Sequence, residues 1–373
     1  MEESATFVQM FFNLILWMCI FLITQRAFRY PYINSKSNRI TALLLILIFC
    51  LYPFFGGDYF HYKHMYNEYK MGGFIPLENI YKWIIEHIAF SYLFFRLLVW
   101  GTALAILVKA YKRLDVPFDL CLALFASMFL IWFSYARVSL AMAMILLGLA
   151  LVVKPYKRLP FISFVFGLCI IFCAEFCHRS AIIGILAALG SLFLINADKK
   201  KIVLIGILFP LAIFLLTNIL NEFMMLDLDY DSYVSINQRD GYLGDADAGR
   251  HTRGLGELIS HFLTRTPIFL TAVLYVYLIF RGKFLQMPKT VRCISSYAFI
   301  IVLIALAFSF DLGYNTYVFY YRTLTFAMIP SAVFIASVKA NRLENKLTNL
   351  IIVIGVLGVF YTLIYSTYCA IVA

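Results

Sequence analysis

The sequence predicts an all-α polytopic integral membrane protein of about 12 transmembrane helices (range 10 to 13). Of its 373 residues, 63% are apolar and only 14% are charged. A soluble domain is roughly half apolar and a quarter charged. Apolar runs of about 17 to 25 residues recur along the chain, which is the length that crosses a bilayer core. The runs are continuously apolar rather than alternating, which favours helices.

Twelve apolar runs can be placed, and we expect residues 1–373 to form a single membrane domain. They lie at 6–25, 40–56, 89–109, 117–134, 137–153, 159–177, 180–196, 202–220, 258–280, 293–310, 321–338 and 348–371. The first run is expected to be a span rather than a cleaved signal peptide, because Glu2 and Glu3 precede it where a signal peptide is basic.

The loops between the runs alternate in charge. Every second loop is short and basic, and these loops hold 20 of the 31 Lys and Arg residues. They are Arg26 to Arg39, Lys109 to Arg113, Lys154 to Arg158, Lys199 to Lys201, Arg281 to Arg292, and Lys339 to Lys346. The positive-inside rule places them in the cytoplasm and both termini outside. The net charge of +11 then reflects mainly the loops that set the orientation of the chain in the membrane. No nucleic-acid partner is expected.

Two outer loops are long, at 57–88 and 221–257. Helical spacing of apolar residues from Pro76 to Ile88 predicts an interfacial helix in the first. The second loop is rich in Asp and Gly, which suits a lid, a binding element or a disordered segment. Its alternating aspartates resemble a metal-binding DxD pattern, but such patterns arise readily in acidic loops, and we predict no metal site. Arg250 and Arg253 either close on an anionic substrate or are solvated.

Ionisable residues inside spans or at their ends are costly, so each suggests a function. Arg137 and Arg322 open two separate spans on the outer side. A guanidinium there either snorkels to headgroups or binds phosphate through its planar fork. Two such arginines at similar depth favour a shared anionic ligand, and Arg96 lies on the same side.

His178 and Asp58 are the candidate catalytic residues. His178, between the sixth and seventh runs, is a general base, a neutral donor to a sugar hydroxyl, or a helix-capping histidine. Asp58 follows two glycines after the second run, as a base for an acceptor hydroxyl or as a turn residue. Glu175 and Arg179 are four residues apart and are expected to pair on one helical turn.

Tyrosines and cysteines have ordinary explanations as well as functional ones. Tyr59, Tyr62, Tyr66 and Tyr69 recur at helical spacing, which suits either an interfacial aromatic belt or sugar stacking. Cys169, Cys173 and Cys177 lie four apart within an apolar run, which indicates free thiols rather than disulfides or a zinc site. No nucleotide-binding motif occurs, and no cofactor is predicted.

Three stretches together resemble the EpsG family of bacterial membrane proteins, which belongs with the Wzy-type polymerases of surface polysaccharides such as O-antigen and capsule. They are GGDYFHYKHMYNEY with PLENIYKWIIEHIAFSYLFFRLL, YARVSLAMAMILLG through CAEFCHRSAIIG, and YYRTLTFAMIP. The family pattern falls on Asp58, Arg137, His178 and Arg322. No part of it matches the Asp-rich loop.

The resemblance implies a glycosyltransferase that joins oligosaccharide repeat units carried on undecaprenyl pyrophosphate, on the outer face of the bacterial cytoplasmic membrane. A chain-length regulator is a further expected partner. Fixed arginines would neutralise the pyrophosphate leaving group, and direct displacement would invert the anomeric centre. The alternatives are a lipid-linked oligosaccharide flippase, which needs charges along a path through the bilayer, and a membrane O-acyltransferase, which needs a cytoplasmic donor site.

Overall fold

The structure is a computed structural model that describes residues 6–32, 35–53, 58–73, 77–133, 136–208, 255–309, 320 and 323–372. Helices account for 83% of these residues and no strand occurs among them, which confirms the predicted all-α class. In chain order the helices are α1 Phe7–Thr24, α2 Arg26–Arg29, α3 Lys36–Leu51, α4 Asp58–Lys70, α5 Asn79–His87, α6 Tyr92–Arg113, α7 Phe118–Met128, α8 Leu130–Phe133, α9 Ala136–Val153, α10 Pro160–Cys173, α11 Ala181–Phe193, α12 at 199–208, α13 Leu255–Phe280, α14 Lys289–Ser309, α15 Met328–Ala340 and α16 Lys346–Val372.

All twelve predicted runs coincide with helices, although the run at 202–220 is described only as far as residue 208. Six helices in the described ranges are long and apolar enough to cross a membrane, and four more apolar helices are shorter. The run at 117–134 is split, because Phe129 leaves the helical conformation between α7 and α8. The chain is a multi-pass α-helical membrane protein.

The six basic loops meet at one end of the bundle, which we call the basic end. Side-chain contacts link several of these loops to one another or to residues beside them, so the basic loops of the sequence form one layer of the structure. The contacts are Arg39 Nε to Asp119 Oδ1 at 2.7 Å, Lys154 Nζ to Asp115 Oδ1 at 2.5 Å, Thr290 Oγ1 to Asp115 Oδ2 at 3.3 Å, Arg292 Nη1 to Asn196 Oδ1 at 2.8 Å, and Lys283 Nζ to the Leu343 carbonyl at 2.6 Å.

The large apolar core lies in the middle of the bundle, where α7 and α15 are buried along most of their length. Around it, α9 packs closely against both α6 and α10. The α9–α10 crossing depends on two glycines. A Cβ on Gly148 would lie 2.7 Å from the Gly167 carbonyl oxygen, and a Cβ on Gly167 would lie 2.9 Å from the Gly148 carbonyl oxygen. Small residues at such a crossing let the two backbones approach within a membrane.

Gly148→Ala is expected to destabilise the protein by about 1–3 kcal/mol, because the added methyl group meets backbone that cannot move aside. The unfolding midpoint of the detergent-purified protein measures the effect. Gly101→Ala in α6 is the matched control, since a Cβ there has no atom within 4 Å. Alanine favours helix over glycine, so this control should be neutral or slightly stabilising. Equal midpoints for the two variants would contradict the close crossing.

Candidate functional site

At the end opposite the basic end, α4 and α5 form a small lobe over the bundle, which we call the cap. The cap packs on the first half of α6 through an apolar cluster of its own, separate from the main core. The buried members of this cluster are Met65, Tyr66, Leu77, Tyr81, Ile85, Ala89, Tyr92, Phe95 and Val99. The helix predicted within 76–88 is present as α5. Its position relative to a membrane interface remains a prediction.

The tyrosines of α4 hold the cap together. Tyr66 is buried and its hydroxyl donates to the Ala89 carbonyl at 3.0 Å. Tyr69 donates to the Glu86 carboxylate of α5, and this hydrogen bond raises the pKa of the Tyr69 hydroxyl above its ordinary value. The tyrosines Tyr66 and Tyr69 therefore have a packing and hydrogen-bonding role within the cap, which differs from both the aromatic belt and the sugar stacking considered from sequence.

Arg137 lies at the start of α9 and reaches up to the cap. Its Nε donates to the Tyr62 hydroxyl at 3.0 Å, and its Nη1 donates to Glu78 Oε2 at 2.8 Å. The guanidinium carbon also lies 5.3 Å from the centroid of the Tyr62 ring. Only two of the five N–H donors of the guanidinium have partners among the described residues. Within the described part of the chain, Arg137 therefore keeps donors beyond these two contacts in a largely buried setting.

Arg96 is a second buried guanidinium, on α6, with 3% of its surface exposed. It donates to the Leu51 carbonyl at 3.0 Å, to the Cys50 carbonyl at 2.5 Å and to the Tyr92 hydroxyl at 3.0 Å. The two carbonyls close the C-terminus of α3, where a positive charge is favourable. No carboxylate in the described part of the chain pairs with it.

The two guanidiniums line one pocket between the cap and the bundle. Its other lining residues are Tyr62, Leu77, Tyr81, Tyr92, Phe95 and Val99. The space inside holds little more than one water molecule. Among the described residues that line the pocket or contact its lining, Glu78 balances one of the two positive charges. The pocket admits a group larger than water only if the cap shifts.

His178 lies in the turn between α10 and α11 and is buried. Its Nδ1 accepts from the Ser180 backbone N–H at 3.1 Å and lies 2.6 Å from the Ser180 hydroxyl. Because the backbone N–H can only donate, Nδ1 is an acceptor, and the proton of the neutral ring is on Nε2. The observed contact, at the start of α11, is of the helix-capping kind, and the catalytic roles considered for His178 stay predictions.

The cap also contacts the His178 turn. Tyr81, on α5, donates its hydroxyl to the Cys177 carbonyl at 3.0 Å, directly before His178. Tyr81 lines the same pocket as Arg137. The expected Glu175–Arg179 pair is absent from the ion pairs of the described residues. The reason is that α10 ends at Cys173 and a 3-10 turn at Ala174–Phe176 replaces the helical turn that would align them.

The structure thus brings two of the predicted site residues to one region, Arg137 under the cap and His178 in the turn that the cap contacts. Asp58 is the first residue of α4, directly before Tyr59, whose ring lies 5.2 Å from the Arg96 guanidinium. Three predicted residues, Arg250, Arg253 and Arg322, and the aspartates of the loop at 221–257 lie outside the described residues.

Sequence reasoning missed Glu78, and it assigned no role to Arg96. It also missed Arg265, which lies within α13, is 9% exposed and has its guanidinium 5.6 Å from the Tyr320 ring. An arginine inside the run at 258–280 was a visible signal, because charges within spans are rare. Glu78 gave no such signal, since a glutamate in a polar loop is ordinary.

All eight cysteines are free thiols, as predicted, and Cys177 is the buried member of its group. Within the described ranges, no group of three His, Cys, Asp or Glu side chains is placed to hold a metal ion.

The fold and the pocket define a multi-pass α-helical membrane protein with two arginines lining a pocket at the end opposite its basic loops. A family model for the EpsG family matches residues 38–371, and the chain belongs to that family. Membership supports, in general terms, a polymerase-type role in polysaccharide biosynthesis. The family predicted from the three sequence stretches is confirmed. No curated protein and no solved structure matches the chain.

Proposed function

We propose that the protein polymerises undecaprenyl-pyrophosphate-linked oligosaccharide repeat units into a surface polysaccharide. The observation that carries the proposal is Arg137, a largely buried guanidinium that uses two of its five donors on described residues and shares a pocket with the buried Arg96. A guanidinium is suited to paired hydrogen bonds to the non-bridging oxygens of a phosphate. EpsG membership supplies the sugar-polymer context.

The chemistry needs charge neutralisation more than proton transfer to the leaving group. When the acceptor hydroxyl attacks the anomeric carbon, the bond to the pyrophosphate oxygen breaks and negative charge develops on the leaving group. Positive groups held in a water-poor site stabilise that charge without reorganising. Arg137 and Arg322 are the proposed first contacts to the pyrophosphate, and Arg250 and Arg253 are proposed to close over it.

His178 and Asp58 then take complementary roles. The Ser180 N–H on Nδ1 puts the proton of the neutral His178 ring on Nε2. His178 is proposed to act through this N–H as a hydrogen-bond donor to an oxygen of one of the two substrates. Asp58 accepts the proton of the acceptor hydroxyl as general base. Direct attack inverts the anomeric centre. The basic end faces the cytoplasm in this proposal, so the pocket lies on the outer face of the bacterial cytoplasmic membrane, where a chain-length regulator would also act.

Deletion of the gene for this protein in its host tests the proposal against a flippase. A polymerase mutant should accumulate single lipid-linked repeat units on the outer leaflet, because units cross the membrane but are not joined. Accessibility of the units to an added sugar-modifying enzyme in intact spheroplasts measures the leaflet. Accumulation on the inner leaflet would overturn the proposal and favour the flippase. A strain complemented with the wild-type chain is the control.

A further inference from the structure

The carboxylate of Glu78 forms an ion pair with the Arg137 guanidinium, which the proposed function assigns to phosphate binding. Its Oε2 lies 2.8 Å from Arg137 Nη1, and the two side chains are 14% and 21% exposed. Glu78 is the N-cap residue of α5, yet its side chain makes no capping hydrogen bond. N-cap side chains normally accept from the first backbone N–H groups of their own helix. The Glu78 carboxylate is committed to Arg137 instead.

Resting on the proposed function, we infer that Glu78 is a specificity-determining residue: its carboxylate holds Arg137 Nη1, and a donor pyrophosphate that engages Nη1 and Nη2 together displaces it. A monophosphate gains little by this exchange, because it brings less charge and fewer oxygens against the carboxylate that it replaces. A pyrophosphate brings two charges and can engage two N–H groups at once. The Glu78 contact therefore selects a pyrophosphate-linked donor over a monophosphate-linked one.

Displacement of Glu78 also releases the cap. The Arg137–Glu78 ion pair ties the segment between α4 and α5 to the start of α9. Three residues further on, Tyr81 ties α5 to the Cys177 carbonyl, and Cys177 is 3% exposed. The pocket holds about one water molecule, so a pyrophosphate group cannot enter unless the cap moves. The Cys177 thiol itself lies 3.5 Å from Met144 Sδ of α9. Because the Tyr81 hydrogen bond holds the backbone of the turn that buries this thiol, its labelling rate reports whether the cap has been released.

The test uses the purified full-length protein and the labelling rate of Cys177 with a small maleimide, read by tandem mass spectrometry that distinguishes Cys177 from the exposed Cys169 and Cys173. Inorganic pyrophosphate and inorganic phosphate are the probes. Glu78→Gln removes the charge at nearly constant shape. Glu86→Gln is the matched control, because Glu86 lies on α5 and bonds Tyr69 of α4 but does not contact Arg137.

Pyrophosphate should raise the labelling rate of the wild-type protein roughly fivefold, the size expected for loss of one ion pair, whereas phosphate at the same concentration should not. Glu78→Gln should label faster without any ligand, and Glu86→Gln should behave like wild type. The inference is overturned if pyrophosphate leaves wild-type labelling unchanged, or if Glu78→Gln labels no faster than Glu86→Gln. The wild-type arm needs no variant, so it remains decisive if Glu78→Gln does not fold.

Failure of the proposed function would look different. If the labelling is as expected but the protein joins no repeat units, the Glu78 exchange is supported and the polymerase assignment is wrong. If the protein joins repeat units but pyrophosphate leaves the labelling unchanged, the polymerase assignment is supported and the Glu78 exchange is wrong.

Discussion

Arg137→Ala is expected to abolish long-chain polymer while leaving the protein in the membrane. Removal of one preorganised hydrogen-bond donor to a developing anion lowers the reaction rate by about 10²–10³-fold. A long polymer needs many successive additions, so the loss of long chains is larger than the loss of a single addition. The variant also loses the contacts to Tyr62 and Glu78. Immunoblotting of membranes with electrophoresis of the polysaccharide measures protein and product together. Arg322→Ala is expected to have the same phenotype.

Arg39→Ala is the matched control for Arg137→Ala. Both arginine side chains are 21% exposed and each pairs with a carboxylate, at 2.7 Å for Arg39 and 2.8 Å for Arg137. Arg39, however, belongs to the basic end. If polymer per unit of membrane protein falls equally in the two variants, the loss reflects a buried ion pair in general and the pyrophosphate role of Arg137 is wrong. Arg137→Lys should retain partial activity, since lysine keeps the charge but not the planar fork.

His178→Ala is expected to lower the polymerisation rate by about 10²–10³, because the Nε2–H donor is lost from a water-poor site. The informative comparison is between His178→Gln and His178→Asn. The glutamine amide reaches the position of Nε2 and can donate there, whereas the asparagine amide reaches only the position of Nδ1. His178→Gln should therefore retain more activity than His178→Asn, as measured by initial rates of repeat-unit joining.

The opposite order would show that Nδ1 rather than Nε2 acts in the reaction, against the tautomer that Ser180 imposes. His64→Ala is the control, because His64 is an exposed histidine of the cap with a weak contact to Glu68 at 3.8 Å. Its activity should equal that of wild type.

Hydropathy and loop charge predicted most of the fold, because the bilayer imposes a length on each span and the basic loops were plain in the sequence. The interruption at Phe129 could not be predicted, since α7 and α8 lie in a single apolar run with no proline or glycine at the break. Such breaks depend on packing between helices, which periodicity does not record.

Arg137 and His178 could be singled out from the sequence, but their hydrogen-bond partners could not. Arg137 stood out as a charge at a span end, whereas Glu78 comes from a loop 59 residues earlier and meets it only through the folded cap. The sequence also could not show which ring nitrogen of His178 carries the proton. The tautomer follows only from the structure, where the Ser180 N–H lies beside Nδ1.

Reconstitution tests the central claim most directly. The purified protein in liposomes is supplied with a defined undecaprenyl-pyrophosphate-linked repeat unit, with and without a chelator, and the products are resolved by size. We expect a ladder of joined units, one undecaprenyl pyrophosphate released for each new linkage, and no effect of the chelator. Unjoined repeat units after incubation with folded wild-type protein would contradict the assignment as a repeat-unit polymerase.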